Sequence, residues 1–384
     1  MSAGSAYLDH NATSPLRAVA FDAMAEALKA GGNPSSVHRA GRAARARVDA
    51  ARRQVALLVG AMPSEIVFTS GGTEANNLAI TGTGCMRVLA SAVEHDSVLK
   101  AAPDAEIIPV DGEGVIDLAA LERMLAPSKT QTLSLKAPTL VSVMFANNET
   151  GVLQPIADVV RLARETGALV HCDAVQGAGK APVDLHGLGV DYLSVSAHKF
   201  GGPTGIGAFV VRGNAPFVTD RRGGGQESNR RAGTENVAGI VGFGAAAEAA
   251  RSGLDVEQLR ERLEMALLAI APDARVFGAG ARRLGNTTCI SMPDVKAETQ
   301  VMAFDLAGVC VSAGAACSSG KVTRSAVLAA MGVSPAVADT AVRISFGWNT
   351  ESEDIERLIG AWRDLYIRVH SSDISAAAIQ ARAA

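Results

Sequence analysis

The sequence predicts an α/β protein: a large domain around a mainly parallel seven-stranded sheet, joined to a smaller α+β domain. Three observations carry this. At 384 residues the chain is longer than one average domain. Short, continuously apolar strand segments alternate with helical ones, the pattern of a parallel sheet covered on both faces. After about Ala250 that rhythm gives way to short strands with helices between them.

A first helix is expected over residues 18–29. A second is expected over 41–59, where arginines surround an Ala/Val stripe and mark an amphipathic surface helix. Seven strands follow, at 65–69, 88–90, 107–110, 140–145, 168–172, 192–195 and 207–211. Helices over 117–125 and 156–166 fall between them, and another starts directly after Ser70-Gly71-Gly72-Thr73. Beyond Ala250 the expectation is a helix over 255–270, strands at 287–291, 309–312 and 342–346, and a last helix over 352–369. The Ala/Ser-rich tail 371–384 is expected to fray.

Composition removes whole classes of function. With 48% hydrophobic and 20% charged residues the chain is not a disordered one. Aromatics at 4% argue against base stacking on single-stranded nucleic acid. A net charge of −3 supplies no basic field for nucleic acid or an anionic membrane. No basic start followed by an apolar core appears at the N-terminus, and no run of about 18 apolar residues occurs, so a cytoplasmic protein is expected. The five cysteines, at 85, 172, 289, 310 and 317, form no C-x-x-C pair. Neither a metal site nor a disulfide framework is expected, and the odd count suits a reducing compartment.

Three segments carry chemistry. In Ser70-Gly71-Gly72-Thr73-Glu74-Ala75-Asn76 a strand meets two glycines, a hydroxyl and a helix, which is an anion site by helix N–H groups and dipole. It lacks the Lys of a P-loop, and read alone it is equally a capped helix after a turn. Asp173 ends an apolar strand, at the edge where open α/β sheets bind ligands. Lys199 follows the next strand in Ser196-Ala197-His198-Lys199-Phe200-Gly201-Gly202. An Asp for a pyridinium nitrogen and a Schiff-base Lys are the two requirements of a pyridoxal phosphate site. Taken singly, Asp173 is as well read as a cap and Lys199 as a solvated surface residue. Cys317 lies in the small, polar, Gly-flanked run 311–321, unlike the four cysteines in apolar or Gly-rich surroundings, and Lys321 nearby would favour its thiolate.

Taken together, these residues identify a resemblance. The chain resembles pyridoxal-phosphate cysteine desulfurases of the NifS/IscS type, within the class V aminotransferase group. The matching stretches are Tyr7-Leu8-Asp9-His10-Asn11-Ala12-Thr13, Gly32 to His38, Phe68 to Ile80, Val93 to Val98, Asn147 to Gly151, His171 to Gln176, Ser196 to Gly207, Gly223 to Glu227 with Arg231 to Thr234, the Cys317 loop and Val342 to Ser345. They run in order from near the start to about residue 365.

The resemblance implies the PLP-dependent transferase fold type I. It places a large cofactor-binding domain at 14–250 and a small domain at 1–13 and 251–384 that carries the Cys loop. It implies that Lys199 holds the cofactor covalently, Asp173 pairs with the ring nitrogen, His95 stacks on the ring and assists proton transfer, Gln176 hydrogen-bonds the phenolic ring oxygen, and Asn148 lies beside the ring and the substrate. Gly72, Thr73, Ser196 and His198 would hold the phosphate. Thr234 would reach the partner's phosphate in a homodimer. Arg343 would clamp the substrate carboxylate with help from Asn33, and Cys317 would take sulfur from L-cysteine as a persulfide, leaving L-alanine, and pass it to an acceptor protein. A selenocysteine lyase or another class V aminotransferase would share this scaffold, and a non-catalytic partner-binding scaffold would share only the fold. Iron–sulfur assembly, nitrogenase supply, tRNA thiolation and molybdenum-cofactor sulfuration stay open as destinations. The chain departs from the family pattern at His10, at Gly320-Lys321-Val322-Thr323-Arg324 after the cysteine, and in its short Ala-rich tail.

Overall fold

β-Branched and apolar residues, cut by Gly, Pro and Asp, form twelve strands among the described residues. The computed structural model describes residues 5–126, 138–314 and 324–383, with side chains as far as 370. The strands are β1 (Ala6–Tyr7), β2 (Ile66–Thr69), β3 (Arg87–Ser91), β4 (Glu106–Ile108), β5 (Thr139–Ser142), β6 (Leu169–Asp173), β7 (Tyr192–Ser196), β8 (Gly207–Val211), β9 (Thr287–Ser291), β10 (Val309–Cys310), β11 (Ser312–Ala313) and β12 (Ala341–Ser345). Seven make one sheet, in the order β2-β8-β7-β6-β5-β3-β4.

From β4 to β7 every neighbouring pair in this sheet is parallel. β8 runs antiparallel to both β7 and β2. The chain returns from β7 to β8 over residues 197–206, too few for the dozen or more that a parallel crossover needs. That return carries Lys199. Asp173 ends β6 beside Ser194 of β7, so both groups emerge at the same edge of the sheet.

One face of the sheet packs into a core containing Val48, Val55, Leu89, Val141, Val170, Leu193 and Val210. The other face buries Val67, Leu78, Leu140, Tyr192 and Phe209. Helices Ala18–Ala30, Arg39–Leu58 and Val237–Ala249 lie together on the first of these faces. The stripe expected on the Arg-rich helix is the buried one: Gly41, Ala44, Val48, Ala51, Val55 and Ala56. Close approach explains the glycines of its neighbour. A Cβ at Gly244 would stand 2.6 Å from the Ala51 Cα.

A separate core joins Leu8, Leu263, Ile290, Phe304, Ile344 and Trp362. Here β1 pairs with β10, and β11-β12-β9 form a three-stranded sheet. The strand expected at 309–312 is therefore two short ones, because the chain crosses at Val311 from one sheet to the other. The last helix runs Ser352–Ala383, through the tail expected to fray. Alanine, the strongest helix former, fills much of that stretch. Among the described residues no helix is long and apolar enough to cross a membrane.

Candidate active site

The N-terminus of helix Gly72–Gly82 opens on a cavity of about 360 Å³ at the carboxyl edge of the large sheet. The first-turn N–H groups of a helix have no carbonyl four residues back to receive them. Here Gly72, Thr73, Ser196 and His198 line the wall beside that helix start. Gly71 precedes it at φ 155°, a conformation that disfavours a side chain. His198 touches the Thr13 hydroxyl at 3.1 Å, and burial, then Lys199 and Lys180, hold its pKa at about 4. Its ring is neutral at neutral pH, so it serves there as a hydrogen-bonding group without charge.

The Lys199 amine donates to the backbone oxygens of Asn11, at 2.7 Å, and Ala12, at 3.0 Å. The N-terminal segment thus reaches across to hold this side chain. The Asn11 amide donates to the Thr287 hydroxyl at 2.9 Å and the Asn148 oxygen at 3.1 Å. A second amine, Lys180, donates to the Asn11 Oδ1 at 2.7 Å and to the Gln176 Oε1 at 2.6 Å.

Asp173 is buried with both oxygens engaged. Asn76 donates to one at 2.7 Å and the Val175 backbone N–H to the other at 2.9 Å. Asn76 also donates to the Ser97 hydroxyl at 2.8 Å, and that hydroxyl meets the His95 Nδ1 at 2.8 Å. His95 caps the short helix Asp96–Leu99 and accepts from the Ser97 N–H, which fixes its ring against the cavity. Behind it lies Glu94, whose Oε1 accepts from the Met144 N–H at 2.6 Å. Burial, then Asp173, pushes the Glu94 carboxyl well above its usual range.

Arg343 enters from β12. It donates to Asp9 at 2.7 Å and to the Asn148 oxygen at 3.2 Å, while its buried Nε has no hydrogen-bond partner among the described residues. A guanidinium held on one side by a carboxylate has its remaining edge for a second planar anion. Glu149 lies nearby, buried, and accepts from the Ser325 hydroxyl at 2.5 Å. A Cβ at Gly314 would stand 3.1 Å from its Oε2. Gly314 and Ser325, one on each flank of segment 315–323, therefore both meet this carboxyl.

One cavity thus gathers Gly72, Thr73, His95, Asn148, Asp173, Gln176, Ser196, His198, Lys199 and Arg343. Two expected residues are elsewhere. Asn33 is exposed and its side chain turns back to accept from the Ser35 N–H at 2.9 Å. Thr234 is exposed beside a depression it shares with Ser70, Gly205 and Arg231. Cys317 lies outside the described residues. The other four cysteines are free, and burial pushes every one of their thiols up. His10 is buried against Tyr7 and Ser14, and burial first of all lowers its pKa to about 3. Sequence reasoning missed Asn11, Asn76, Glu149 and Lys180 as working parts, although three of them sit inside stretches quoted above. Lys180 lies four residues past Gln176, and nothing in that spacing signals a buried amine.

The family model described as Aminotransferase class-V matches residues 6–358. A cysteine desulfurase of Cereibacter sphaeroides is 45% identical over 370 residues, covering 92% of this chain and 93% of that protein. Cysteine desulfurase IscS of Dictyoglomus turgidum is 40% identical over 368 residues, covering 91% of each. Among solved structures, the NifS-like protein from Rickettsia africae superposes with a TM-score of 0.85 at 35% identity, over 94% of this chain and 99% of that one.

Proposed function

The chain belongs to the aminotransferase class-V family, and from that premise we propose the following reading: it is a cysteine desulfurase that converts L-cysteine to L-alanine with pyridoxal phosphate. The observation that carries it is one cavity in which the Lys199 amine, the Asp173 carboxylate and the buried Arg343 guanidinium converge before a Gly-rich helix start.

The residues present suit that cofactor. The helix N-terminus with Thr73, Ser196 and His198 suits a phosphate dianion. Asp173, tied down by Asn76 and the Val175 N–H, suits a pyridinium N–H. When bound, pyridoxal phosphate supplies an aldehyde that condenses with amines and a ring that stores the electrons left at Cα.

The protein's own groups do the rest. Lys199 anchors the cofactor and, as a free amine, takes the Cα proton of cysteine, its position set by the Asn11 and Ala12 carbonyls. Asn76 keeps Asp173 aimed, and His95, held by the Ser97 N–H, would stack on the ring. Arg343 orients the cysteine carboxylate while Asp9 holds its far side. The Cys317 thiolate attacks the cysteine sulfur: an S–S bond forms as the C–S bond breaks, and the persulfide sulfur then passes to an acceptor thiol on another protein. Thr234 completes the phosphate site of a second subunit, which makes the homodimer the working unit.

The test is direct. Purified protein supplied with pyridoxal phosphate should turn yellow and, given L-cysteine and a reducing thiol, release alanine and sulfide in equal amounts. A colourless protein, or sulfide released with pyruvate instead of alanine, would overturn the reading.

A further inference from the structure

We propose that Lys180 is a positioning residue for this reaction: it clamps the Gln176 amide so that its N–H side is presented to the cavity. The proposal rests on the reading of the cavity as a pyridoxal phosphate site.

Gln176 lines the cavity and is buried. Its amide is pinned from two sides. The Nε2 group donates to the Asn11 backbone oxygen at 3.0 Å, and Oε1 accepts from the Lys180 amine at 2.6 Å. A backbone carbonyl only accepts, so a turned-over amide would set oxygen against oxygen at Asn11. An amide nitrogen carries two N–H bonds. With one spent on Asn11, the second remains for the cavity, where it can meet an anionic ring oxygen.

Among the described residues Lys180 is the single donor to the Gln176 oxygen, whereas Asn11, its other partner, is also held by Asn286 at 3.2 Å. The loss of Lys180 therefore falls on Gln176. Lys180 is half-buried. Burial, then Lys199 and Arg343, holds its pKa well below the ordinary lysine range. A surface role would not need an amine in so unfavourable a place.

The test compares the visible band of the cofactor-loaded wild type, Lys180→Met, Gln176→Ala and the double variant. A hydrogen bond to the ring oxygen tunes that band, so Lys180→Met and Gln176→Ala should shift it in the same direction. Each should lower kcat/KM on the order of tenfold, the scale of one buried hydrogen bond. The double variant should be no worse than Gln176→Ala alone. A wild-type band in Lys180→Met, or losses that add in the double variant, would overturn the proposal. Should Lys180→Met not fold, Lys180→Ala with added ethylamine takes its place. Ethylamine should return the band toward wild type, but not when Gln176 is also Ala; no return, or a return independent of Gln176, again overturns it. A wild-type protein with no visible band would instead sink the cofactor reading itself.

Discussion

Glu149→Gln should make the protein more stable at alkaline pH while changing little in acid. Glu149 is buried, and burial pushes its carboxyl up from 4.5 to about 7, against the weaker opposing pulls of the Ser325 hydroxyl, Arg343 and His95. An acid raised in this way binds more protons in the folded than in the unfolded state between those two values. Its contribution is therefore fully present below about pH 4.5 and is lost as pH rises through 7. A displacement of that size corresponds to about 3 kcal/mol. Glutamine keeps an oxygen for the Ser325 hydroxyl but cannot ionise. Urea unfolding of both proteins at about pH 4.5 and about pH 8 measures the effect. The stability difference should widen by about 3 kcal/mol in favour of Gln at the higher pH. A difference that stays constant across that range would refute the placement of an ionisable, buried Glu149 between Gly314 and Ser325.

Other outcomes follow from the same geometry. Lys199→Ala should lose turnover, and borohydride should fix no cofactor to the chain; a lysyl adduct in that variant would remove Lys199 from its role. Asn76→Ala strips one oxygen of Asp173 of its donor and should weaken cofactor retention about tenfold, read by equilibrium dialysis. Thr234→Ala should weaken cofactor binding about fivefold although Thr234 lies outside its own subunit's cavity, and unchanged affinity in a confirmed dimer would count against a shared site.

Much of the fold was legible because each strand of the large sheet is a short apolar run, and strands 287–291 and 207–211 match residue for residue. Asp173 and Lys199 were legible because each ends or follows such a strand, and strand ends are where α/β sheets place chemistry. The antiparallel course of β8 was not, since an apolar run has no direction written in it. Nor was the division of residues 309–312 between two sheets, which depends on partners distant in the chain. The supporting polar groups were least legible. Asn11 reaches Lys199 across 188 positions and Glu149 reaches Ser325 across 176. Such groups look like ordinary turn and surface residues until packing removes their water.

The Cys317 thiol is the group proposed to take the sulfur. Cys317→Ser, loaded with cofactor and given L-cysteine without reductant, tests it by mass spectrometry of the peptide carrying residue 317 beside the wild type. One added sulfur is expected on the wild-type peptide, none in the variant, and retained cofactor and cysteine binding in both. Normal alanine and sulfide release by Cys317→Ser, or a persulfide found on Cys85, Cys172, Cys289 or Cys310 instead, would contradict it.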